Sequence, residues 1–157
     1  MDGHSDIRHG GCLCGAIRFE AVGQPGNPHA CSCESCRRHT GAPSVGWVEY
    51  PSSMLRWTGP GGAPCVYRSS DYSSRAFCPH CGSSLGAIDD APTVALLIGA
   101  FDEHRDPALR PDGHSFEDGR AGVVAGCRGT GGLSRTVSGS RMCQPSAWSY
   151  SADGASA

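Results

Sequence analysis

The chain has 157 residues, of which 38% are hydrophobic, with 23 glycines, 10 cysteines and a formal net charge of -2. That length suits one domain with one core, and a core this lean is expected to need cross-links or metals. The charge offers no electrostatic footprint for nucleic acid, and no apolar run is long enough to span a bilayer.

The first ten residues carry no apolar h-region of the signal-peptide kind, so a cytoplasmic location is expected. Disulfides are rare there, so paired cysteines read as metal ligands or redox groups. Ile17, Phe19 and Ala21 alternate with Arg18 and Glu20, which predicts a half-buried strand. A short helix is predicted over residues 34–39, ended by Gly41. Val45, Trp47 and Glu49 alternate against Gly46, Val48 and Tyr50, a second strand. Shorter strands follow at residues 54–57, 64–68 and 75–77, and later ones at 84–88 and 93–98. The last is nearly all apolar and is therefore expected at the centre of a sheet. Residues 1–118 carry 9 arginines against 14 acids, whereas residues 119–157 carry 4 arginines against one acid. The second stretch, rich in Gly and Ser and without apolar period, reads as a disordered tail to a mainly β domain over residues 1–118.

Seven cysteines fall into two constellations. Cys12 and Cys14 precede the first strand, and Cys78 and Cys81 follow a later one in the run Cys78-Pro79-His80-Cys81-Gly82. Proline bends such a turn and glycine accepts a positive φ, so that both sulfurs point inward. Two such pairs can close a tetrahedral four-cysteine zinc site that ties distant strands together. A redox pair of free thiols is the other reading. Cys31, Cys33 and Cys36 form the second group, with Ser32, Glu34 and Ser35 between them. Three ligands and an open position describe a catalytic zinc, whereas a fourth ligand such as Cys65, His39 or His114 would close the site.

The stretches that contain these cysteines, together with Gly10-Gly11, Cys36-Arg37-Arg38-His39-Thr40-Gly41-Ala42, Tyr67-Arg68, Arg75-Ala76-Phe77-Cys78 and Ile98-Gly99-Ala100-Phe101-Asp102, resemble the glutathione-dependent formaldehyde-activating enzyme family, the Gfa/CENP-V domain. Pro111 and His114 fit a later family segment, and the likeness runs over about residues 10–116 in order. The resemblance implies an Mss4-like β-tent of antiparallel sheets with two zinc ions per chain. It implies structural zinc at Cys12, Cys14, Cys78 and Cys81, and catalytic zinc at Cys31, Cys33 and Cys36. The implied activity joins glutathione to formaldehyde and is classed as a carbon–sulfur lyase. Two departures stand out. Ser32 replaces the histidine usual between the first two cysteines of the middle motif, and after His114 the family's Trp-containing end gives way to the Gly/Arg/Ser tail. A frameshift or a divergent extension would each produce such a tail.

A small thiol and a small aldehyde are the expected partners, and a non-catalytic zinc module is the competing reading. Arg37 and Arg38 are candidates to hold the carboxylates of a glutathione-like thiol, with Arg75 as a further one. His39 reads either as a proton shuttle or as an exposed helix-end residue. His80 is expected to face solvent, and Trp47, Trp57 and Tyr67 to be core or pocket lining. Cys65 reads as a small buried hydrophobe.

Overall fold

The computed structural model describes residues 6–122. Ten strands, one short α-helix and several single 3-10 turns fill this span, the mainly β architecture that was expected. The expected tail lies almost wholly outside the described residues, as do Cys127 and Cys143. Among the described residues, no helix is long and apolar enough to cross a membrane.

Three strands form a small antiparallel sheet in the order β1 (Ile7–Gly11), β2 (Arg18–Val22), β5 (Leu55–Trp57). The larger sheet has seven strands. Its order is β10 (Gly113–Ser115), β3 (Gly26–Cys31), β4 (Val45–Pro51), β9 (Thr93–Leu97), β8 (Ser84–Asp89), β7 (Ser73–Phe77) and β6 (Cys65–Arg68). Every neighbouring pair is antiparallel except β10 with β3. The apolar strand β9 does sit in the middle, as its composition predicts.

The sheets share a core in which Phe19 of β2 packs edge to face on Phe101, just beyond β9, with ring centroids 5.1 Å apart. Gly10 allows that approach. A Cβ there would lie 2.3 Å from the Phe19 ring and 2.4 Å from the Ala100 carbonyl oxygen. The main core adds Val48, Tyr50, Val94 and Leu96, all from the middle of the large sheet. Strand β4 is apolar on both faces. Val48 and Tyr50 enter the main core, while Val45 and Trp47 pack on the other side with Cys31, Cys36 and Leu97. One strand thus supports the core and the second cysteine group together.

Helix α1 (Glu34–Thr40) matches the predicted helix. Cys33 caps its start, the Cys33 sulfur accepting the Cys36 N–H, and Gly41 ends it at φ 69°. Glu34 in the first turn and Arg37, Arg38 and His39 in the last complement the helix dipole.

Three strands carry no legible pattern. β1 is polar and glycine-rich, β10 has only three residues, and β3 contains Pro28, Asn27 at φ 44° and a register shift between Gly26 and His29. The reading of Cys65 as buried is corrected: it is exposed on β6, at the edge of the large sheet. An edge strand uncovered on its faces buries none of its side chains, and Tyr67 is exposed there for the same reason.

Candidate metal centres

The turn between β1 and β2 carries Cys12 and Cys14, and the turn between β7 and β8 carries Cys78 and Cys81. Each turn closes on a glycine in the left-handed region, Gly15 at φ 78° and Gly82 at φ 74°. The Gly82 N–H donates to the Cys78 carbonyl at 2.9 Å, and the Cys12 N–H to the Ile17 carbonyl at 2.9 Å. The two turns bring all four sulfurs within 4.8 Å of one another. Cys12 and Cys14 sulfurs are 3.5 Å apart and those of Cys14 and Cys78 3.8 Å. Sulfurs about 2.3 Å from a tetrahedral zinc stand about 3.8 Å apart, so the spacing fits that ion. Ile17 and Leu85, both fully buried, pack beneath the cluster. A metal shared by these sulfurs would tie the small sheet to the large one.

The surroundings of these thiols suit a cation. Burial opposes ionisation of Cys81, but hydrogen bonds from the Ser83 side chain and backbone bring its pKa down to about 5. Cys14 accepts a backbone hydrogen bond at Ala16, which favours its thiolate, yet desolvation and the neighbouring thiols push it up to about 12. Four thiolates this close would need a counter-charge, which a divalent soft-binding ion would supply.

The second group joins the end of β3 to the start of α1. Cys31, Cys33 and Cys36 have their sulfurs within 4.8 Å of one another, Cys31 and Cys36 buried and Cys33 half-buried. Burial, then Cys33 and Cys31, pushes Cys36 up to about 12. Burial works against ionisation of Cys33 as well, but the N–H and the thiol of Cys36 hold its pKa below the usual value. Among the described residues, no fourth Cys, His, Asp or Glu joins this group. Of the three candidate closing ligands, Cys65 lies on the edge strand and His39 lines a different cleft. His114 Nε2 is hydrogen-bonded to Ser32 Oγ at 2.9 Å and lies 3.4 Å from Ser44 Oγ. Both groups therefore have donors suited to zinc, one with four sulfurs and one with three.

A cleft of about 440 Å³ opens beside Cys33, lined also by Arg37, Ser70, Tyr72, Arg75 and Phe116. A smaller one of about 180 Å³ reaches Cys31 and Cys36 and shares Tyr72 and Arg75 with the first. A larger cleft, about 920 Å³, lies beside Cys12 and Cys81 and is lined by His39. Arg37 lines the Cys33 cleft, its Nε–H donating to the Ser32 carbonyl at 3.1 Å. Arg38 does not line it and forms an exposed ion pair with Glu34 at 2.6 Å. Trp47 is buried against the three-cysteine group, Trp57 packs edge to face on Phe19, and His80 faces solvent. Tyr72 and Phe116, exposed aromatics on the cleft wall, carry no sequence signal because each stands alone in an irregular segment.

A Schizosaccharomyces pombe protein named as an uncharacterized lyase is 33% identical over 79 residues, which cover 48% of this chain and 53% of that protein. The match thus spans about half the length of the curated relative. The crystal structure of a Rhodobacter sphaeroides protein superposes with a TM-score of 0.52 at 17% identity, covering 68% of this chain and 99% of that one, and this likeness shows the fold. The family model described as glutathione-dependent formaldehyde-activating enzyme matches residues 7–119, a span that holds both cysteine groups. With its Mss4-like architecture and that match over most of its length, the chain belongs to the glutathione-dependent formaldehyde-activating enzyme family.

Proposed function

We propose that the protein is a zinc-dependent enzyme of the carbon–sulfur lyase type, joining or cleaving a glutathione-like thiol and a small aldehyde such as formaldehyde. In this reading Cys12, Cys14, Cys78 and Cys81 hold a structural zinc, and Cys31, Cys33 and Cys36 hold the zinc of the active site. The observation that carries it is the difference between the two groups. One has four converging sulfurs; the other has three, no fourth protein ligand among the described residues, and a cleft beside Cys33.

A zinc ion at the three-cysteine group would supply a position that holds a small thiol deprotonated. The rest is work for the chain. The Cys36 N–H steadies the Cys33 sulfur, and the pairing of Arg37 with the Ser32 carbonyl fixes the loop between Cys31 and Cys33. The cleft walls orient the thiol against the aldehyde. In the addition, sulfur bonds to the aldehyde carbon, the C=O π pair moves to oxygen, and the thiol proton ends on that oxygen. This reaction asks for positioning and deprotonation, a modest demand on a small domain.

The test is metal content per chain together with the rate of S-hydroxymethylglutathione formation, in wild type and in Cys33→Ser. Two zinc ions and a rate above the uncatalysed one in wild type, with one zinc and no acceleration in the variant, support the enzyme. Equal rates in both proteins reject it. The burial of Cys31 and Cys36 favours the second reading, a non-catalytic zinc module, which predicts two zinc ions and no acceleration in either protein.

A further inference from the structure

We propose that Tyr72 and Phe116 are specificity-determining residues of the Cys33 cleft, and that the aldehyde joined there carries an aromatic or similarly broad apolar group. The inference rests on the thiol–aldehyde reading above and names the second reactant. The charges on the cleft wall balance, Arg37 and Arg75 against Glu34 and Asp118, so net charge selects little. Arg37 is moreover engaged with the Ser32 carbonyl and Glu34 with Arg38. What the wall leaves uncovered is apolar. Tyr72 is 67% exposed and Phe116 64%, and among the described residues neither ring packs on another ring.

Both rings stand on anchored backbone. The Tyr72 carbonyl accepts the Asp90 N–H at 2.9 Å, and Arg68 grips the Asp90 carboxylate with two bonds of 2.7 Å, which fixes the hairpin between β6 and β7. Phe116 follows β10, whose Ser115 carbonyl accepts the Ser32 N–H at 3.1 Å. The Phe116 carbonyl accepts the Gly119 N–H at 3.0 Å, and Gly119 lies so close to Ser32 that a Cβ there would be 2.7 Å from the Ser32 carbonyl oxygen. The turn that carries Phe116 is therefore seated on the loop between Cys31 and Cys33. Phe116 itself adopts φ 55° and ψ 47°, a left-handed conformation that costs a residue with a Cβ and that glycine takes freely. A large ring held there in water adds little burial to the fold, whereas beside a cleft of about 440 Å³ it offers a ligand an apolar wall. Tyr72 also lines the smaller cleft that reaches Cys31 and Cys36. A one-carbon aldehyde would leave both rings bare. The glutathione-like thiol of the proposed reaction is polar throughout, so the group that covers them belongs to the aldehyde. In the adduct the aldehyde carbon is bonded to the sulfur and carries its substituent into the cleft beside Cys33.

The test is calorimetric titration of the zinc-loaded full chain with glutathione, S-methylglutathione and S-benzylglutathione, in wild type, Phe116→Gly and Tyr72→Ser. The two thioethers are unreactive stand-ins for the adducts of a one-carbon and an aromatic aldehyde. Wild type is expected to bind the benzyl compound about tenfold more tightly than the methyl one, the scale of a ring held against aromatic side chains. Each variant should lose most of that ratio. Phe116→Gly should also melt no lower than wild type, because its backbone conformation suits glycine. Melting well below wild type would make the ring a packing element and overturn its role. A full ratio in either variant overturns the role of the residue replaced. Equal binding of the two thioethers by wild type, with glutathione bound, overturns the proposal and leaves the thiol site standing. Binding of none of the three by wild type overturns both.

Discussion

Ser32 Oγ and His114 Nε2 lie 2.9 Å apart, joining the loop of the three-cysteine group to the last strand, β10. Ser32 is fully buried between two of the cysteines, so its hydroxyl depends on that partner. The Ser32 N–H donates to the Ser115 carbonyl at 3.1 Å beside it, and the parallel pairing of β10 with β3 completes the brace. His114→Ala should therefore cost about 1–3 kcal/mol, the scale for an unsatisfied buried hydroxyl, and loosen metal held by Cys31, Cys33 and Cys36. Thermal melting and metal retention under a chelator check this together. An unchanged melting point with unchanged retention would show that the contact braces nothing.

The four-cysteine group should behave as a structural element. Cys78 is completely buried against Ile17 and Leu85, and its sulfur converges with three others from two sheets. Cys78→Ser should unfold the domain, because metal binding there is part of the folding free energy. Cys33→Ser should stay folded, since Cys33 is half-buried and serine is itself a good helix N-cap. Circular dichroism of the two variants gives the comparison, and a folded Cys78→Ser protein with the wild-type melting point would count against the assignment.

Gly10→Ala probes the junction between the sheets. The added methyl would meet the Phe19 ring and the Ala100 carbonyl, neither of which can move without disturbing the main core. A destabilisation of about 3 kcal/mol or more is expected from such overpacking. Denaturant unfolding measures it, and a change below about 1 kcal/mol would mean that the junction yields more readily than its packing indicates.

His39 gives a pH dependence with a definite sign. Burial lowers its pKa, the charge of Arg75 lowers it further, and a hydrogen bond with the Gly86 backbone works the other way. The folded value therefore lies below the unfolded one of about 6.5. As pH falls through 6.5 the unfolded chain takes up the proton first, so this contribution is complete above about 6.5 and is lost toward the folded value. Between pH 8 and 5.5 wild type should lose more melting temperature than His39→Gln. Parallel losses in the two proteins would remove His39 as the source.

Much of the architecture was legible because its signals are local. The Cys78–Gly82 turn announces its own geometry, alternation marks β2, and an apolar run marks β9. Helix α1 was legible through Gly41 at its end. Strand β3 was not, because Pro28 and the positive φ of Asn27 break any period and its pairing to β4 and β10 decides its state. The convergence of Cys31, Cys33 and Cys36 follows from their spacing. The place of Arg75 beside Trp47 does not, since the two meet only when β7 and β4 are folded into one sheet. Arg37 and Arg38 are adjacent in sequence, yet helical geometry puts Arg37 on the cleft wall and leaves Arg38 off it in an exposed ion pair.

In the proposed function the three-cysteine group holds a metal with a position free for a thiol. The most direct measurement replaces zinc by cobalt and titrates the loaded protein with glutathione, reading the sulfur-to-cobalt charge-transfer absorption in wild type and in Cys33→Ser. The account predicts that the band of wild type grows and saturates as a fourth sulfur joins, while the variant keeps the four-cysteine signal and does not respond. A fully loaded wild-type protein whose band is unmoved by glutathione would contradict it.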